Sequence, residues 1–240
     1  MRTAITAISV LILGACNQAN GEEAKATGKG AERSYQVGDF QRVSLAGSHD
    51  VVVTVGGAAS VRAVGDTEAL DRLEIRVDNG ELILRDRKRD GLFWGSNKHK
   101  ATIYVTAPAL AAAAVAGSGD MKIDRIEGEK FEAAISGSGD LDLAAVRVRD
   151  ASFSVAGSGG LKARGSAQAT RVSIAGSGEM EAKGFQTADL NLSIAGSGSA
   201  ELRATGNAAI SIMGSGSAEV AGGAKCQVSK MGSGSVNCTG

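Results

Sequence analysis

The chain has 240 residues, 34 of them Gly and one Pro, and its 43% hydrophobic residues include only five Phe, two Tyr and one Trp. A core so poor in aromatics is built from Ala, Val, Ile and Leu and is thin and layered, which excludes a large aromatic-lined pocket. Twenty-six Lys and Arg against twenty-six Asp and Glu exclude the basic field of a nucleic-acid binder, and two His with three unclustered Cys leave little for zinc or His-based catalysis, so no metal or cofactor is expected.

Residues 1–15 read as a lipoprotein signal peptide. Met1-Arg2 precedes an apolar run from Ala4 to Leu13, and Leu13-Gly14-Ala15-Cys16 has the layout of a bacterial lipobox. The run is too short to span a bilayer. Cys16 is then the expected lipidation site, a membrane anchor through acyl chains. Asn17 is not the Asp that retains some lipoproteins at the inner membrane, which points to the outer membrane, with the folded part facing periplasm or cell surface. An ordinary signal peptide with an incidental Cys, or a buried N-terminal element, accounts for the same residues. Residues 16–35 read as the lipidated Cys and a flexible tether, because the stretch from Asn17 to Ser34 is polar and lacks apolar periodicity.

Residues 36–108 read as a less regular, β-rich N-terminal cap. Val43-Ser-Leu-Ala-Gly-Ser-His-Asp-Val-Val-Val53 anticipates a repeat that follows, with His49 in place of a Gly. Strand-like runs come at Ser60 to Val64, Leu73 to Val77, Glu81 to Arg85 and Thr102 to Thr106, with Asp78-Asn79-Gly80 as a turn and Asp66 as the cap of one helical turn up to Leu70. The segment Arg85 to Lys100 carries six Lys or Arg, two Asp and the single Trp. Arg87, Lys88, Arg89, Phe93 and Trp94 form a candidate binding edge for a sugar, an anionic head group or a protein. A connection whose aromatics fold back over the end of the molecule is the other reading.

Residues 109–240 repeat. Gly-Ser-Gly occurs seven times, centred on Ser118, Ser138, Ser158, Ser177, Ser197, Ser215 and Ser233, at spacings of 20, 20, 19, 20, 18 and 18 residues. Three residues before the Ser stand Val115, Ile135, Val155, Ile174, Ile194 and Ile212, and five before it Ala113, Ala133, Phe153, Val172, Leu192, Ile210 and Val228. The column between them is Ala or Ser. This alternation is that of a strand, and the repeated columns predict a strand, a Gly-Ser-Gly corner, a strand and a loop in each unit. Parallel stacking of such units gives an all-β chain: a parallel β-helix or β-solenoid of about seven coils behind the cap. Ala-rich Ala109 to Ala116 favours helix by propensity, but its columns place it in the first coil.

The columns also make further predictions. Cys226 and Cys238 fall in two inward columns that face each other, which predicts a disulfide closing the last coil; two buried thiols are the alternative. Glu181, Glu201 and Glu219 stack on successive coils, where a cation could bridge them or Lys183 and Arg203 could neutralise them. Asp120 and Asp140 after the corner suggest a calcium roll, but the later coils have other residues there. The Ser columns suit contact with glycan or ice, or are simply small and soluble.

Phe40-Gln-Arg-Val43, Leu45-Ala-Gly-Ser-His-Asp-Val51, the strand pair near Leu73 to Leu84, Val105-Thr-Ala-Pro-Ala-Leu110 and the repeated Ala-Gly-Ser-Gly-Asp resemble the auto-transporter adhesin head GIN domain family over roughly residues 36 to 238. The resemblance implies a β-helical domain exported to the bacterial envelope, often on lipoproteins, with an adhesin role. It carries no catalytic motif, and no segment of the chain reads as the membrane barrel an auto-transporter needs. The expected function is a non-enzymatic cell-envelope lipoprotein acting as an adhesion or interaction module toward a glycan or protein, with no nucleic-acid partner. A structural periplasmic protein without a surface ligand is the alternative. A polysaccharide-acting solenoid enzyme built on Glu181 and Glu201 is a third.

Overall fold

The computed structural model describes residues 22–28, 31–87 and 100–239. Three short strands open it, β1 (Glu22–Glu23), β2 (Ala26–Thr27) and β3 (Glu32–Tyr35). β4 (Arg42–Gly47) and β5 (Asp50–Val55) flank the corner that carries His49. β6 (Ser60–Gly65) leads into a short helix, α1 (Thr67–Arg72), and β7 (Leu73–Asp78), β8 (Glu81–Asp86) and β9 (Ala101–Ala107) complete the cap. The repeats supply β10 (Ala112–Gly117), β11 (Met121–Ile123), β12 (Ile126–Gly137), β13 (Leu141–Gly157), β14 (Gly160–Gly176) and β15 (Glu179–Gly196). After them come β16 (Ser199–Ala204), β17 (Asn207–Gly214), β18 (Ser217–Ala221), β19 (Lys225–Met231) and β20 (Ser235–Thr239).

The predicted columns are the observed register. Val115 pairs with Ile135, then in turn Val155, Ile174, Ile194 and Ile212, all parallel and all buried. The architecture is the expected solenoid, of about six turns rather than seven coils, because seven corners bound six complete turns. The loop expected between coils is also absent in the middle of the stack. β13 and β14 each run for 17 residues through that segment, since backbone pairing with the coils on either side continues across the bend.

Glycine at the corner answers two separate demands. Gly137 has a φ of 133°, a conformation L side chains rarely adopt. Gly139 has no such strain, but a Cβ there would stand 2.1 Å from the carbonyl oxygen of Gly119 on the preceding coil. Stacked corners leave no room for a side chain. The same close approach lets the amides of Ser138 and Gly139 both donate to the Gly117 carbonyl, at 2.9 and 3.0 Å.

The cap is stacked out of chain order. β8 and β9 lie parallel on the far side of β4 and β5, while β10 and β11 take the near side. β7 then covers β8, and β6 covers β9, both antiparallel, which ends the parallel stack. Asp66 caps α1 as expected, its Oδ1 accepting from the Ala69 amide at 2.8 Å. Asn79 and Gly80 form the β7–β8 turn with positive φ at both residues. The tether reading of residues 16–35 does not hold for its described part. β1 pairs with β7 and β3 with β6, and Tyr35 is buried. Antiparallel edges recruit these residues through backbone hydrogen bonds, which need no apolar pattern.

At the other end the core thins. Cys226 and Cys238 form the predicted disulfide, which by the chain-entropy model stabilises the last coil by about 3 kcal/mol. Lys230 takes the place in register that Ile212 holds one coil earlier. A charge in an inward column of an edge strand discourages further stacking.

Candidate functional site

An open groove of about 720 Å³ crosses six successive coils of the solenoid. Its walls are two columns. Eight residues before the corner Ser stand Lys130, Asp150, Ala169, Asp189, Asn207 and Lys225; six before it stand Glu132, Ser152, Arg171, Asn191, Ala209 and Gln227. Between them, at the base, Phe131, Ala151, Thr170, Leu190 and Ala208 are buried. Strand alternation thus turns the middle residue of each three-residue segment into the core and the two flanking ones outward, and six coils repeat the arrangement.

Some wall groups are fixed from within. Asp189 Oδ1 accepts from Asn207 Nδ2 at 3.0 Å, one coil on. At the base, Thr170 Oγ1 donates to Thr187 Oγ1 at 2.9 Å, and Thr187 Oγ1 donates to the Asp189 carbonyl at 3.0 Å, so two buried hydroxyls are satisfied. Asp150 is paired with Arg149 at 3.0 Å. Arg171, Asn191 and Gln227 are exposed.

The residues singled out in the sequence meet different fates. Cys16, Lys88, Arg89, Phe93 and Trp94 lie outside the described residues. Arg87 is described; its guanidinium pairs with Glu23 of β1, and its amide donates to the Arg72 carbonyl at 2.8 Å. The edge of this segment is therefore tied to the cap. His49 secures its base: Nε2 donates to Asp86 Oδ1 at 3.0 Å, and Nδ1 accepts from the Ala101 amide at 3.2 Å. With both nitrogens engaged and the ring buried, His49 is a structural clasp between the ends of β8 and β9.

Glu181, Glu201 and Glu219 do stack in register. Lys162 reaches Glu181 at 3.0 Å from the coil before, and Lys183 reaches Glu201 at 3.1 Å. The hydrogen bond to Glu181 holds the Lys162 ammonium above the usual lysine pKa, and Glu201 does the same for Lys183. Among the described residues no three His, Cys, Asp or Glu converge to hold a metal. Asp120 and Asp140 have another task than calcium. Their Oδ1 atoms accept the amides of Asp140 and Gly160 on the next coil, at 3.0 and 2.8 Å.

The groove itself escaped the sequence reading, because alternation is the same on both sides of a bend. The column Lys130, Asp150, Asp189, Asn207 and Lys225, polar beside buried or half-buried residues and broken only by Ala169, is its visible trace in the sequence.

A family model described as "Putative auto-transporter adhesin, head GIN domain" matches residues 39–224. No curated protein matches. Among solved structures, a putative adhesin from Bacteroides fragilis superposes with a TM-score of 0.79 at 22% identity, over 88% of this chain and 98% of that one. A putative lipid binding protein from Parabacteroides distasonis gives a TM-score of 0.70 at 23% identity, over 89% and 98%. A putative adhesin from the same species gives 0.70 at 20% identity, over 88% and 97%. At these identities the likeness is one of fold.

Proposed function

Because the chain belongs to the family of putative auto-transporter adhesins with a head GIN domain, we propose that it is a non-enzymatic envelope module that works by holding a ligand in the groove along its coils. The observation that carries this reading is the groove itself, mostly polar-walled and six coils long. Chemistry has little to start from in the groups considered. A general base needs a free nitrogen or a carboxylate of raised pKa, whereas His49 is engaged at both nitrogens and Glu181 and Glu201 are ion-paired.

We place the protein at the outer membrane through a lipid on Cys16. Five residues, Asn17 to Gly21, separate that Cys from Glu22 on the cap. Fully extended they reach about 18 Å, so the cap end sits near the bilayer and the coils point away from it. An adhesion role requires the coils to face the cell surface, and proteolysis of intact cells carrying a C-terminally tagged protein tests that, with lysed cells as the control. Loss of the tag from intact cells is expected. A tag that survives until lysis would overturn surface exposure and leave a periplasmic structural protein.

A further inference from the structure

We propose that the groove takes an extended, uncharged, β-linked glycan, with one sugar unit to each coil; this rests on the binding-module reading above. The first argument is dimensional. Coils in register repeat at about 4.8 Å, the strand spacing of a sheet, and a chain of pyranose rings joined at opposite corners advances by about that length per unit. A linear glycan laid along the groove therefore meets an equivalent set of columns at each step, as a chain of another period would not.

The second argument is electrostatic. Lys130, Arg171 and Lys225 face Glu132, Asp150 and Asp189 in the same two walls. The signs cancel within the groove, so it offers no field to a polyanion or a polycation. What remains are groups suited to hydroxyls, which both donate and accept. The amides of Asn191 and Gln227 do both, and Arg171 donates.

The third argument excludes an extended peptide. Peptides that add to a sheet need an unpaired strand edge. From β13 to β17 the wall strands are paired to the coils on both sides, so only side chains face the groove there. Phe131, the one aromatic in the lining, is fully buried. Recognition then comes from hydrogen bonds alone, weak per sugar and cumulative along the chain.

Titration of the full-length protein with cello-oligosaccharides and with N-acetylchito-oligosaccharides of two to six units tests the proposal. In at least one series the dissociation constant is expected to fall by about tenfold or more from dimer to hexamer, as linked contacts accumulate. Arg171→Ala and Asn191→Ala, both at exposed positions, are each expected to weaken hexamer binding by about threefold or more, the effect of losing one hydrogen bond to the ligand. Lys122→Ala, exposed on β11 and outside the groove, leaves binding unchanged, and an unaltered melting temperature in all three shows that the fold is kept. No binding at millimolar concentration in either series, equal affinity for dimer and hexamer, or an equal effect of Lys122→Ala would overturn the assignment. Tighter binding of an acidic oligosaccharide in the same groove would overturn the uncharged class yet leave a binding module standing. The proteolysis result decides cell-surface exposure whichever way the titration falls.

Discussion

Alanine in place of Gly137 is expected to destabilise the solenoid by several kcal/mol, although it adds a single methyl group. Two costs combine. The backbone at residue 137 has a φ of 133°, where an L side chain carries about 1–3 kcal/mol of strain. The new Cβ would also lie 2.3 Å from the Gly117 carbonyl oxygen, and relieving such an overlap in packed structure costs about 1–3 kcal/mol more. That oxygen accepts the amides of Ser138 and Gly139, so moving it away loosens two bonds between coils. Ser138→Ala, one residue on and exposed, is expected to change stability by less than about 0.5 kcal/mol. Urea unfolding followed by circular dichroism compares the two. Equal midpoints for Gly137→Ala and Ser138→Ala would show that the corner does not need its glycine.

Phe153→Ala is expected to cost about 3–5 kcal/mol, the range for emptying a buried aromatic site. The ring is 1% exposed and meets Phe185 edge to face, centroids 5.5 Å apart and planes at 76°. In its own column it stands between Ala133 and Val172, so smaller neighbours on both coils leave the room it fills. A core this thin has no second layer from which side chains can move in. Phe153→Leu keeps most of the volume and is expected to cost less than about 1.5 kcal/mol. Denaturation midpoints for both variants provide the check, and a loss below about 1 kcal/mol for Phe153→Ala would mean that neighbouring coils close the gap.

The repeat half of the fold was legible because parallel stacking places like on like. Once Ser118 to Ser233 were aligned, the pairing of Val155 with Ile174 and the approach of Cys226 to Cys238 followed from counting. The cap was legible only in its local elements. The strands near Leu73 and Glu81, the Asn79-Gly80 turn and the Asp66 cap depend on neighbours in sequence. The placement of β8 and β9 on the far side of β4 and β5 does not, for strands that do not repeat leave no column to align. The strands from Glu22 to Tyr35 stayed hidden for a related reason, since their pairing with β6 and β7 runs through the backbone and only Tyr35 among the described strand residues is buried. For the candidate site, charge and aromaticity drew the reading to Trp94 and to the Glu181 column. Arg171 and Asn191 are unremarkable as single residues. They matter only as members of walls that exist when six coils are stacked.

The position of β4 and β5 in the stack also sets the order in which the molecule can be made. Both neighbours of this coil come from later chain, β8 and β9 ending at Ala107 on one side, β10 and β11 ending at Ile123 on the other. Until residue 123 has joined, the coil has an open edge, and the loops to be closed are long, which slows assembly. Each later coil, in contrast, grows on a finished template one turn at a time. Assembly therefore runs in one direction from a slow N-terminal nucleus. A chain cut after Gly198, which loses the Lys230 edge and leaves β15 open, is expected to fold but to self-associate, while one cut after Ala107 leaves β4 and β5 open and does not fold. Size-exclusion chromatography with circular dichroism separates these outcomes, and a soluble folded fragment ending at Ala107 would show that the nucleus is smaller than the stacking order implies.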